Sequence, residues 1–281
     1  MKSIYDIISE RNNDKIDGHI HLFDKDNCLL QYKEFSSLLN SYNINKFVGF
    51  VDIEPKYINS YNNTVKLYDT FIKEYYNPDQ HILLASSTNI DNLTDLYNNY
   101  SHIFKGFGEI KCYDTYKGVD INNKKVMYLK DIYELSQTNN NIPVYIHYSL
   151  TSKRYIKLFE NLLKQYPLVP IVLCHCGMEN EKDLSIKREH NNDYIYTVVC
   201  ELMKKYPNLW LDISYVAADY FVENTFRLYN MDLDRVIIGT DLNPVLYKNN
   251  METIIKYNVG KYNTLSINID NTKNVNKLFK L

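Results

Sequence analysis

Eight short, β-rich apolar segments recur along the 281 residues with helix-like stretches between them, and no other feature narrows the possible folds so far. They fall at 16–21 (IDGHIH), 46–52 (KFVGFVD), 82–88 (ILLASST), 103–111 (IFKGFGEIK), 143–148 (PVYIHY), 170–175 (PIVLCH), 208–214 (NLWLDIS) and 235–241 (RVIIGTD). The stretches 65–76, 126–137, 155–166 and 195–206 place apolar residues at three- and four-residue intervals, as helices lying on a sheet do. Pro143, Pro170 and the Tyr-Pro-Asn at 206–208 mark helix ends just before strands.

Eight alternations close naturally into a barrel. The fold expected is therefore α/β, a single-domain (β/α)8 TIM barrel over residues 1–281, with chemistry at the C-terminal ends of the strands. An open doubly wound sheet would usually carry a Gly-rich phosphate turn after its first strand. Here His19-Ile20-His21 stands in that place.

Side chains alternate across a strand, so Asp17, His19 and His21 are expected on one face. Neutral imidazole nitrogens are good ligands for zinc and similar ions, and a pair two residues apart can offer both to one ion. A single His-x-His is weak evidence on its own. Its position strengthens it, because His147, His175 and Asp241 also end strands, the fifth, sixth and eighth. Asp17 is expected either to orient an imidazole from behind or to serve as a hydrogen-bonding residue at the strand start.

These residues carry a resemblance. DGHIHLFD at 17–24, GFGEIK at 106–111, IH at 146–147, LCHCG at 173–177 and IIGTDLNP at 237–244 stand in the order found in the amidohydrolase superfamily. Within it the chain resembles the amidohydrolase-2 and TatD-like metal-dependent hydrolases over essentially its whole length. The resemblance implies that His19 and His21 are metal ligands, and that His147 and His175 are ligands or bind the substrate oxygen. It implies that Asp241 is both a ligand and the base that deprotonates the attacking water. GFGEIK fits the TatD-like pattern, in which the glutamate bridges two metals, better than the pattern of branches that place a carboxylated lysine on this strand. Glu109 is thus expected as a ligand, and Lys111 as a substrate-contacting or structural cation.

The expected cofactor is a divalent metal, zinc or another first-row ion, present as one or two ions. Such an ion lowers the pKa of bound water from about 15.7 towards about 7 and polarises a scissile carbonyl. The expected activity is hydrolysis of a small-molecule ester, lactone or amide, with Asp241 as general base. A TatD-like nuclease, a decarboxylase of the same superfamily, and a barrel kept only as a binding or scaffold protein are the alternatives. Arg188, in the polar segment 179–193 after the sixth strand, is a candidate anchor for an anionic substrate, although a solvated charge run is the reading such a segment favours.

The remaining composition excludes more than it assigns. A net charge of −2 with no stripe of Lys and Arg lacks the electrostatic footprint of a nucleic-acid partner. No apolar run approaches the roughly 20 residues of a membrane span, and acidic residues interrupt the N-terminal stretch where a signal peptide would be apolar, so a cytoplasmic protein is expected. Five cysteines without disulfide-framework spacing read as reduced packing residues. Cys174 and Cys176, flanking His175, are expected to face away from it. His81, His102 and His190 carry no expected chemistry.

Overall fold

A computed structural model of the chain describes residues 15–23, 28–51, 61–87, 90–112, 124–150, 152–177, 191–214, 225–241 and 269–281. Eight parallel strands lie in chain order in one sheet: β1 Lys15–Phe23, β2 Ile44–Val51, β3 His81–Ala85, β4 Phe104–Cys112, β5 Val144–Tyr148, β6 Ile171–Leu173, β7 Leu209–Asp212 and β8 Val236–Ile237. Helices Cys28–Ser41, Tyr61–Glu74, Ile90–Asn99, Lys124–Thr138, Lys153–Gln165 and Asn191–Lys205 alternate with them. The expected (β/α)8 barrel is the observed one, and each expected strand overlaps an observed strand.

The last strand is the shortest, and closure depends on backbone hydrogen bonds just beyond it. The Gly18 N–H donates to the Ile238 carbonyl at 2.8 Å, and the Asp241 N–H donates to the His19 carbonyl at 3.0 Å. Glycine is needed on both sides of this seam. A Cβ at Gly18 would lie 2.1 Å from Ile237 Cγ2, and one at Gly239 would lie 2.4 Å from His19 Cβ.

Two apolar cores follow from the strand pleat. Outward residues such as Phe47, Phe107 and Leu173 pack with Phe35, Phe71 and Phe159 of the surrounding helices. Inward residues, among them Val48, Phe50, Leu84, Val172 and Ile237, fill the lumen. Val275, Leu278 and Phe279 of the C-terminal helix Asn271–Phe279 join this inner core beside Ile16 and Trp210, at the end of the barrel where the strands begin. The Phe279 ring stacks on Tyr145 with centroids 6.2 Å apart. Asn271 fastens the helix to both edges of the seam: its Nδ2 donates to the Ile16 and Ile238 carbonyls at 2.6 and 2.8 Å, and its Oδ1 accepts from the Ile238 N–H at 2.8 Å.

His81 opens β3, buried and away from the barrel mouth. The Asn77 N–H donates to its Nδ1 at 2.9 Å, which leaves Nε2 to carry the proton and donate it to the Tyr32 hydroxyl at 2.5 Å. Burial pushes this imidazole down to about 4, so it is neutral. Among the described residues no helix is long and apolar enough to cross a membrane.

Candidate metal centre

The first two candidate ligands owe their direction to an irregularity in β1. Asp17 pairs with Phe47 and His21 with Phe50, so four steps on β1 match three on β2. This bulge turns the pleat over. His19 and His21 consequently point into the lumen, where each ring meets the Phe50 ring edge-on at 4.8 Å. Asp17, on the other side of the bulge, is not among the grouped ligands of the described residues. Its carboxylate accepts from the Thr240 N–H at 2.9 Å, the Thr240 hydroxyl at 2.6 Å and the His19 N–H at 3.1 Å. Of its two expected roles the structure supports the hydrogen-bonding one. Burial raises its pKa to about 6, with the Thr240 hydrogen bond acting against the rise.

Around His19 and His21 the structure gathers Glu109 from β4, His147 from β5, and His175 and Asp241 from just beyond β6 and β8. Asp241 Oδ1 stands 2.9 Å from His21 Nε2 and 3.1 Å from His19 Nε2. Glu109 lies between two groups of imidazoles: Oε1 is 3.0 Å from His147 Nδ1 and 3.3 Å from His175 Nε2, and Oε2 is 3.9 Å from His21 Nε2. Three overlapping sets, His19–His175–Asp241, His19–His21–Glu109 and Glu109–His147–His175, each bring their nearest ligand atoms within 4.8 Å. All six expected ligands therefore share one mouth. Asp241, with 16% of its side chain exposed, is the most open of them.

His175 reaches the site by leaving the strand. At His175 and Cys176 the backbone is left-handed, with φ of 53° and 52°, an uncommon state for residues with a Cβ. The turn sets the His175 ring 4.5 Å from that of His147 and 5.0 Å from that of His19. Cys174, continuing the alternation of β6 from Val172, faces the lumen with its sulfur near His19 and Asp212 and not away from the site as expected, while Cys176 packs in the outer core. Burial holds both thiols well above the usual range, so both remain protonated packing residues.

Asp212 and Ser214, to which the sequence reading gave no role, stand behind the ligands. Asp212 Oδ2 lies 2.5 Å from His19 Nδ1, and Ser214 stands against His175. An Asp at the end of the seventh strand was the available signal, the same one that marked Asp241.

The donor set suits a divalent cation. With its Nδ1–H given to Asp212, His19 presents the Nε2 lone pair, a buried atom without a hydrogen bond of good geometry and with a carboxylate oxygen facing it. The titration behaviour agrees. Burial would raise Glu109 and Asp241, yet the adjoining imidazoles hold both well below the usual carboxylate range. Burial would lower His175, yet Asp241 and Glu109 bring it up to about 9. His147 is lowered by burial despite Glu109. The field between the two carboxylates favours positive charge.

Lys111 pairs in register with His147, half-buried on the adjoining strand. Arg188 lies outside the described residues.

Comparison with known proteins agrees with the fold. Residues 124–257 match the family model described as Amidohydrolase. No curated protein sequence matches the chain. Among solved structures, an amidohydrolase from Burkholderia multivorans with bound zinc aligns at 11% identity over 96% of this chain and 100% of that one, with a TM-score of 0.61. A TatD family hydrolase from Entamoeba histolytica aligns at 13% identity over 95% and 96%, TM-score 0.57. A dihydroorotase from Campylobacter jejuni aligns at 18% identity over 95% and 83%, TM-score 0.53. At these identities the structural likeness is one of fold.

Proposed function

We propose that this chain, whose family match over residues 124–257 and whose fold support a place in the amidohydrolase superfamily, is a metal-dependent hydrolase of a small-molecule ester, lactone or amide. The observation that carries this reading is the convergence of four imidazoles and two carboxylates at the C-terminal mouth of the barrel, where enzymes of this architecture do their chemistry. His19, His21, Glu109, His147, His175 and Asp241 would hold the ion, with zinc preferred by this nitrogen and oxygen donor set. When bound, such an ion supplies Lewis-acid polarisation of the scissile carbonyl and acidifies water.

The chain's own residues would do the rest. Asp241, held ionised by its imidazole neighbours, can take a proton at a carboxylate oxygen and is the ligand most open to the mouth. Lys111, which pairs in register with His147, would meet a substrate oxygen. The apolar floor of Phe50 beneath His19 and His21 excludes water from the far side of the centre.

A TatD-like nuclease is the second reading, favoured by Glu109 spanning both groups of imidazoles as a carboxylate bridging two ions would. Elemental analysis of the purified protein, followed by a screen of lactones, esters, amides and oligonucleotides, decides between them. Stoichiometric metal with turnover of a small carbonyl compound is expected. Metal-free protein inactive after reconstitution with zinc would overturn the hydrolase reading in favour of a scaffold.

A further inference from the structure

Resting on the metal-centre reading above, we infer that Asp212 is the positioning residue of the centre, fixing the imidazoles of His19 and His175 together in the tautomer that can bind a cation. Its carboxylate accepts three hydrogen bonds. Oδ2 accepts from His19 Nδ1–H at 2.5 Å and from the Ser214 hydroxyl at 2.8 Å, and Oδ1 accepts from the Ser214 N–H at 2.7 Å. Ser214 extends the arrangement to a second ligand: its carbonyl and hydroxyl oxygens stand 2.9 and 3.2 Å from His175 Nδ1.

The donor and acceptor inventory leaves one assignment. A carbonyl oxygen only accepts, so His175 Nδ1 must carry the proton. The Ser214 hydroxyl spends its own hydrogen on Asp212 and is therefore an acceptor towards His175 as well. A carboxylate likewise only accepts, so His19 Nδ1 is protonated too. With both Nδ1 atoms committed, Nε2 is the atom each ring presents to the mouth, that of His19 towards Asp241 and that of His175 towards Glu109, and its lone pair is the one a cation would take in place of a proton.

One short segment, Asp212-Ile213-Ser214 at the end of β7, thus supports ligands delivered by β1 and by the turn after β6. Asp212 and Ser214 are fully buried, so bulk water does not compete for these bonds. A carboxylate behind a ligating histidine fixes ring orientation and raises the basicity of the metal-facing nitrogen, and losing such a partner typically costs about 10- to 100-fold in metal affinity.

The test is zinc affinity, measured by competition with a chelator, alongside thermal unfolding of the metal-free protein. Asp212→Asn keeps the side-chain shape and should weaken zinc binding by about 10- to 100-fold. Ser214→Ala should weaken it less, because only the His175 branch is affected, and it carries the inference if Asp212→Asn does not fold. In a His19→Ala background Asp212→Asn should cost much less, a non-additivity that general loosening of the barrel would not produce. Variants that bind zinc as tightly as the parent would overturn the inference, whatever their melting temperatures, and leave Asp212 a support for the end of β7. A parent that binds no zinc would instead overturn the metal-centre reading itself.

Discussion

Asp241 and His19 meet twice. The Asp241 N–H donates to the His19 carbonyl at 3.0 Å, and the Asp241 Oδ1 faces the His19 Nε2 at 3.1 Å. The backbone bond belongs to the closure of the barrel and the side-chain approach to its chemistry, so one residue serves both. The two roles separate in Asp241→Asn, which leaves the backbone bond and an amide oxygen in place but removes the proton acceptor. Metal content, read by elemental analysis, should fall little. Turnover of a substrate found in the screen should fall by at least about 10²–10⁴-fold, the usual contribution of general acid–base assistance. Near-parental turnover with metal bound would refute the assignment of Asp241 as the base.

Glu109→Gln asks how many ions the centre holds. Because Glu109 touches both groups of imidazoles, the variant should lose one ion of a two-ion complement and keep the other on the remaining imidazoles and Asp241. Unchanged stoichiometry would point to a single-ion centre in which Glu109 is dispensable.

His81 supplies a pH dependence that does not involve the centre. Its folded pKa is about 4 against an ordinary value near 6.5. As pH falls below 6.5 the unfolded chain takes up a proton that the folded chain refuses, so stability present above 6.5 is lost down to about 4, by as much as roughly 3 kcal/mol. Asp17, raised to about 6, works in the opposite sense over nearly the same range, because there the folded chain binds the proton first. The quantity to measure is therefore the difference between parent and His81→Gln in denaturant titrations at several pH values. The variant should gain stability relative to the parent on acidification from pH 6.5 to 4. Parallel curves would show that His81 does not titrate in this way.

Leu278→Ala tests the helix that closes the far end of the lumen. Leu278 is 2% exposed in the inner core, and its truncation should cost about 2–5 kcal/mol in a denaturant titration. Zinc affinity of the folded variant should stay close to parental, because Leu278 packs in the inner core with Ile16 and Trp210, where the strands begin. A large change in affinity would mean that the inner core transmits strain to the ligands.

Much of this was legible in the sequence because repetition and position are linear signals. The eight segments announced the strands, and His19, His21, Glu109, His147, His175 and Asp241 could be placed at one mouth by noting that each lies near a strand end. What escaped was what pleat counting cannot see. The bulge in β1 breaks the simple alternation between Asp17 and His21. The left-handed turn at His175 and Cys176 carries His175 into the site, although alternation from Val172 puts Cys174 in the lumen and would have sent His175 outward. Asp212 was readable by the strand-end rule but looked like an ordinary strand residue, since its role depends on contacts with His19 and Ser214 that only the closed barrel creates.

The Asn271 clasp has a consequence for the order of assembly. Its bond to the Ile16 carbonyl spans 255 positions of the chain, and the Asp17–Thr240 bonds span 223. Strands β1 to β7 can pair with their neighbours as they leave the ribosome, but the free edge of β1 gains its backbone partners at Ile238 and Asp241 only after β8 has been made. Since His19 and Asp241 sit on opposite sides of that edge, the candidate metal centre is assembled only when the edge closes. Until then the nascent chain carries an open sheet whose unpaired edge is a template for pairing with other chains.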